Sequence, residues 1–113
     1  MITFRKLGKW GRFGNQLFQY SGTRLYAELN NFPCAFPEWR GNKIFKNVHP
    51  PYNLQEFIQS RFLPTNQLND LKSYTRIEYL RHLLFNYRIP HTVSLEELYS
   101  SPQDNINLRG YFQ

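Results

Sequence analysis

The chain has 113 residues, 41% of them hydrophobic and 18% aromatic, enough for one small domain with a modest core. Fourteen Lys and Arg against eight Asp and Glu give a net charge of +6, a balance that suits anionic partners. The charges are scattered rather than gathered in one basic run, which argues against a nucleic-acid-binding arm, and the single cysteine, Cys34, excludes an intrachain disulfide.

In chain order, residues 2–7 open on a β-branched run and predict a first strand. A loop follows with Gly8, Gly11 and Gly14, and residues 15–31 predict a helix with Asn15 as its N-cap. Phe18, Gly22, Leu25 and Leu29 recur at helical spacing and predict the buried stripe of that helix. Gly22 is then explained by close packing on a sheet. Gln16 and Gln19 lie three apart and Arg24 falls off the stripe; a solvated face is the plain reading of these polar positions, and it is favoured for Arg24.

Residues 33–37 predict a short edge strand, because prolines flank it. Cys34 sits there in an apolar setting with no base beside it and reads as core. Residues 39–51 predict loop. Asn53 and Glu56 have capping-box spacing ahead of Leu54, Phe57, Ile58 and Arg61, which predicts a helical turn or two, with a strand as a close competitor. Residues 73–88 predict a helix with Ile77, Leu80, Leu84 and Tyr87 on one face and Pro90 as its stop. Ser94 and Glu97 repeat the capping spacing and predict a short helix to Ser100. Residues 106–112 predict a last strand. Alternating strands and helices predict an α/β fold with a short, mainly parallel sheet flanked by helices. The strand at 2–7 is expected in the middle, beside the strand that holds Leu108. A strand that runs to the C-terminus predicts an incomplete lobe with an unpaired, association-prone edge.

The glycine loop is the most informative segment. Strand, glycine turn, helix is the layout that sets backbone N–H groups against an anion. The spacing Gly-x-x-Gly-x-x-Gly misses the dinucleotide fingerprint by one residue, and Asn15-Gln16 after Gly14 does not fit a P-loop. An ordinary βα turn competes with a ligand loop at this point.

The string Gly11-Arg12-Phe13-Gly14-Asn15-Gln16-Leu17-Phe18-Gln19-Tyr20 resembles the opening motif of the α-1,2-fucosyltransferases. Gly110-Tyr111-Phe112-Gln113 resembles a later string of that family, and Tyr52–Ile58 resembles a looser middle block. The resemblance implies a Rossmann-like N-terminal lobe of a GT-B-type glycosyltransferase, spanning residues 1–113. The family's His-x-Arg-Arg-x-Asp donor signature has no counterpart here, so the donor-binding lobe is expected to be absent from this chain.

The implied reaction is transfer of L-fucose from GDP-fucose to the 2-hydroxyl of a galactose-terminated glycan, with inversion. The full-length protein would perform it, and this chain alone is expected to be inactive and to bind the donor weakly, through Arg12 and a few backbone donors. The implied substrate-binding residues are Gly11, Arg12, Gly14, Asn15, Gln16, Tyr111 and Gln113. Tyr111 reads equally well as a core aromatic. No catalytic base is named, since Glu56, Glu78, Glu96 and Glu97 read as surface. No cofactor or metal is expected, because the diphosphate can be held by arginines and backbone N–H groups and the chain has no Asp-x-Asp. Nucleic acid is not an expected partner. No apolar run of about 18 residues predicts a membrane span, and no secretory leader is read, which suits the cytoplasm or a peripheral membrane association. Two alternatives stay open: a non-catalytic carbohydrate-binding or interaction fragment, and a basic nucleic-acid-binding module.

Overall fold

The computed structural model describes residues 1–68 and 91–110. Among these, five strands form one sheet: β1 (Ile2–Thr3), β2 (Cys34–Ala35), β3 (Thr65–Leu68), β4 (His91–Val93) and β5 (Ile106–Arg109). Their order is β2-β1-β5-β3-β4, and every described pairing is parallel. Four helices accompany them: α1 (Phe13–Leu29), α2 (Gly41–Ile44), α3 (Leu54–Phe62) and α4 (Leu95–Ser100). The fold is α/β, and β1 lies beside β5 with Ile2 opposite Ile106 and Thr3 opposite Asn107. β2 is an edge strand, as its prolines predict.

Side-chain alternation sorts the two faces of the sheet. On one, Ile2, Phe4, Ile106, Leu108 and Leu68 join Tyr20, Tyr26 and Ala27 of α1 and Leu98 of α4 in the apolar core. On the other, the Thr3 hydroxyl meets the Tyr52 hydroxyl just ahead of α3. There Asn107 also donates to Thr65 Oγ1 at 3.0 Å. Buried polar groups must find partners, so this face is held by a hydrogen-bond network where the other is held by apolar contact.

Four expectations are corrected. The first strand ends at Thr3, since residues 5–9 wind into turns with bonds such as Leu7 N–H to the Phe4 carbonyl at 2.9 Å. The last strand is not an open edge but sits between β1 and β3. Asn15 is not the helix cap: α1 starts at Phe13, and Arg12 occupies the cap position with no side-chain cap bond. The predicted stripe of α1 faces outward, with Phe18, Leu25 and Leu29 exposed by 56, 51 and 63%, and half-buried Gly22 lies among them.

The helix buries Gln19, Tyr20, Thr23, Tyr26 and Ala27 instead. Two tyrosines explain the choice. The Tyr20 ring stacks on Trp39 and tilts against Phe36, while its hydroxyl accepts from the His49 N–H and from Arg24 at 2.9 Å each. Tyr26 donates to the Gln103 carbonyl and accepts from the Gln103 N–H. Large rings whose hydroxyls are satisfied bury more area than leucines at no polar penalty. Arg24, read as solvated, is tied to Glu28 and to the Asn47 carbonyl.

The two local capping signals hold. Asn53 and Glu56 form the reciprocal capping box of α3, with Oδ1 accepting from Glu56 N–H at 2.8 Å. Ser94 Oγ accepts from Glu97 N–H at 3.1 Å at the start of α4. Replacing Asn53 by alanine is expected to cost about 1 kcal/mol, read as a lowered urea midpoint with an unchanged slope. An unchanged midpoint would show that α3 is held by its packing alone. The predicted helix over 73–88, with Glu78 on it, lies outside the described residues, as do Tyr111 and Gln113.

Candidate functional site

The connections leaving β1 and β3 diverge, to β2 at one edge and β4 at the other, with β5 between them. Open α/β sheets place ligands outside the carboxyl ends of strands at such a point. In this chain that position is built by the turns after β1, the glycine loop and the end of β5.

The loop carries five of the seven candidate residues. Gly11 has φ +79°, which an L side chain rarely adopts, and a Cβ there would lie 3.0 Å from the Asn15 Cβ. The turn therefore closes tightly onto the first turn of α1. Gln16 braces it by donating from Nε2 to the Gly11 carbonyl at 3.1 Å. Arg12 is exposed at the start of α1, and Asn15 and Gln16 are half-buried. Gly14 is exposed with open space where a side chain would project. Gly11, Arg12, Gly14, Asn15 and Gln16 thus stand together at one end of α1.

Two cations from segments far apart in sequence lie against Trp10 in this loop. Arg109 at the end of β5 sets its guanidinium 4.3 Å from the Trp10 ring centre, and Lys6 Nζ lies 5.3 Å from the same ring. Arg5 is anchored on three sides. Its N–H donates to Asn107 Oδ1 at 2.8 Å, and its guanidinium donates to Thr65 Oγ1 at 2.8 Å and to the Arg61 carbonyl at 3.3 Å. Burial, and then the charges of Lys9, Arg109, Arg5 and Arg61, push the Lys6 ammonium below its ordinary value. Sequence reasoning singled out Arg12 and missed this group, because the residues converge only through the β1–β5 and β3–β5 pairings.

Other chemistry-bearing groups lie elsewhere. An open cavity of about 400 Å³ at the amino ends of β1, β2 and β5 is lined by Cys34, Asn53, Glu56 and Asp104 among others. Cys34, read from sequence as core, is half-buried and packs against the edge of the core, and burial raises its thiol. Glu96 and Glu97 are exposed, and Glu56 serves the α3 cap. Among the described residues no group of three or more His, Cys, Asp or Glu stands close enough to hold a metal ion. No described helix is long and apolar enough to cross a membrane. Comparison with family models, curated proteins and solved structures yields no match for this chain.

Proposed function

We propose that this chain is the first, Rossmann-like lobe of a GT-B-type galactoside α-1,2-fucosyltransferase that takes GDP-fucose as donor. One observation carries the reading: the segment Gly11–Tyr20, which bears the family's motif, lies at the carboxyl end of β1 where the strand connections diverge. The surrounding positive charge suits a donor with a diphosphate.

In this reading the acceptor 2-hydroxyl attacks the anomeric carbon of fucose, the bond from that carbon to the diphosphate oxygen breaks, and GDP leaves. The hydroxyl proton passes to a base outside the assigned residues. The chain's part is positional and electrostatic. Gly11 and Gly14 let the backbone approach the donor. Arg12, Asn15 and Gln16 face the sugar-nucleotide. Tyr111 and Gln113, which follow β5 in sequence, complete the assigned set. A second lobe supplies the arginine pair that completes the diphosphate site.

The test is transfer to a galactoside acceptor by a protein that joins this chain to its donor lobe. GDP-fucose is expected to outperform UDP-galactose, and EDTA is expected to leave the rate unchanged. Faster transfer from UDP-galactose overturns the donor. Loss of transfer in EDTA, restored by added metal, overturns the metal-free reaction.

A further inference from the structure

We propose that the α-ammonium of Met1 is a modification-sensitive lock on the sheet, so that an acyl group on this nitrogen, formyl or acetyl, loosens the fold. The lock is independent of the function proposed above.

Met1 is 6% exposed. Its ammonium donates to Asp104 Oδ1 at 2.6 Å and to Asn105 Oδ1 at 2.8 Å. Both acceptors stand on the turn that opens β5, at the other end of the chain. That turn is preset to receive the nitrogen. Asn105 has φ +57°, a left-handed conformation that Asn tolerates better than most residues, and its N–H donates to Asp104 Oδ1 at 2.7 Å. Met1 is equally fixed, because the next amide, Ile2 N–H, donates to the Pro33 carbonyl at 2.7 Å.

The strand beside it needs such a tie. β1 is two residues long where ordinary strands run to about 3–10. Its register with β5 rests on Ile2 opposite Ile106 and Thr3 opposite Asn107. Past its carboxyl end, Arg5 N–H donates to Asn107 Oδ1 at 2.8 Å. Before its amino end, the Met1 ammonium makes the matching tie to the start of β5. A ladder this short leans on the bonds at its two ends.

Acylation removes what the tie uses. The lone pair of the free Met1 amine attacks the carbonyl carbon of an activated acyl donor such as a thioester. The carbon–sulfur bond breaks, the thiol leaves and the nitrogen loses a proton. A formyl group on Met1 gives the same kind of amide, and its hydrolysis by water releases formate and restores the amine. The amide nitrogen is neutral and keeps one N–H, so it serves one of the two acceptors. Met1 is the only cation paired with Asp104 among the described residues, and the carboxylate is 34% exposed. Acylation therefore costs a charge-assisted hydrogen bond at a partly buried carboxylate. The unfolded chain presents the amine for modification, and the docking of β5 reads the result.

The experiment compares the 113-residue chain with a free Met1 amine and the same chain acetylated there. Each is prepared unsubstituted and with Asp104→Asn, and all four are unfolded in urea and followed by circular dichroism. Acetylation is expected to raise the unfolding equilibrium constant about tenfold at low salt, the loss of one bond to a charged group at a site partly open to solvent. The difference should shrink as salt screens the pair. Asp104→Asn keeps a neutral oxygen acceptor at the same place. It should fold with a free amine, less stably, and acetylation should then cost severalfold less.

Equal midpoints for the free and acetylated chains overturn the proposal. So does an equal acetylation loss with and without Asp104→Asn, since the acyl group would then act elsewhere. An acetylated chain that fails to fold, while Asp104→Asn folds with either terminus, is the expected effect at its strongest. Failure of Asp104→Asn to fold with a free amine overturns the lock, because the Met1 bond to Asn105 remains and the carboxylate must then serve something other than the terminus.

Discussion

Gly110→Ala is expected to lower the stability of this fold by roughly 2–5 kcal/mol, the sum of a strained backbone and a steric overlap. Gly110 is buried directly after β5 with φ +120°, a conformation that L residues rarely adopt. A Cβ there would fall inside van der Waals contact of the Leu68 carbonyl oxygen, and within 3.1 Å of Leu68 Cβ and of Gln67 Nε2. These neighbours belong to β3, whose ladder with β5 fixes their backbone, with Gln67 opposite Arg109. Relief by backbone movement would break that pairing in the middle of the sheet. Against a total of about 5–15 kcal/mol for an ordinary domain, the loss is large. Urea denaturation followed by circular dichroism measures it. A midpoint equal to that of the unmodified chain would show that the β3–β5 contact yields easily and that the close approach at Gly110 is not structural.

The second large effect is expected on activity, with stability moving the other way. Gly14 lies in the first turn of α1, and a methyl group added there meets nothing within 4 Å. Alanine also favours the helix over glycine, so Gly14→Ala should leave stability unchanged or raise it by up to about 1 kcal/mol. If the loop receives the sugar-nucleotide as proposed, the same methyl occupies space that the ligand needs. A displacement of about 1 Å at the reacting centre costs on the order of 10²-fold in rate. In a protein that joins this chain to its donor lobe, Gly14→Ala is expected to fold at least as well and to transfer fucose about a hundredfold more slowly. Kinetics with GDP-fucose and calorimetric melting on the same preparation check both parts. Undiminished transfer would remove the glycine loop from the donor site, because instability could not be hiding an effect.

Stability and function thus separate within the loop. Gly11 is required by its backbone angle, whereas Gly14 is not. Asn15, taken from sequence as the cap, stands three residues inside the helix, with its Cβ against the Gly11 position. Its replacement therefore disturbs the loop's shape rather than the helix start.

What the sequence by itself determined is local. The starts of α3 and α4 were legible because Asn53 with Glu56, and Ser94 with Glu97, act across three residues and need nothing distant. The edge position of β2 followed from its prolines, and the α1 segment from its periodicity. The pairing of the strand near Ile2 with the strand near Leu108 followed from the α/β pattern. The tertiary structure decided the rest. β3, reading Thr-Asn-Gln-Leu, has no apolar signature, and its Asn66 is buried by contacts that include Gln103. The buried face of α1 was chosen by tyrosines whose hydroxyls find His49 and Gln103, far along the chain. Above all, Lys6 and Arg109 share no motif. Their meeting at the Trp10 ring depends on where β5 inserts between β1 and β3, a strand order that no residue spacing encodes.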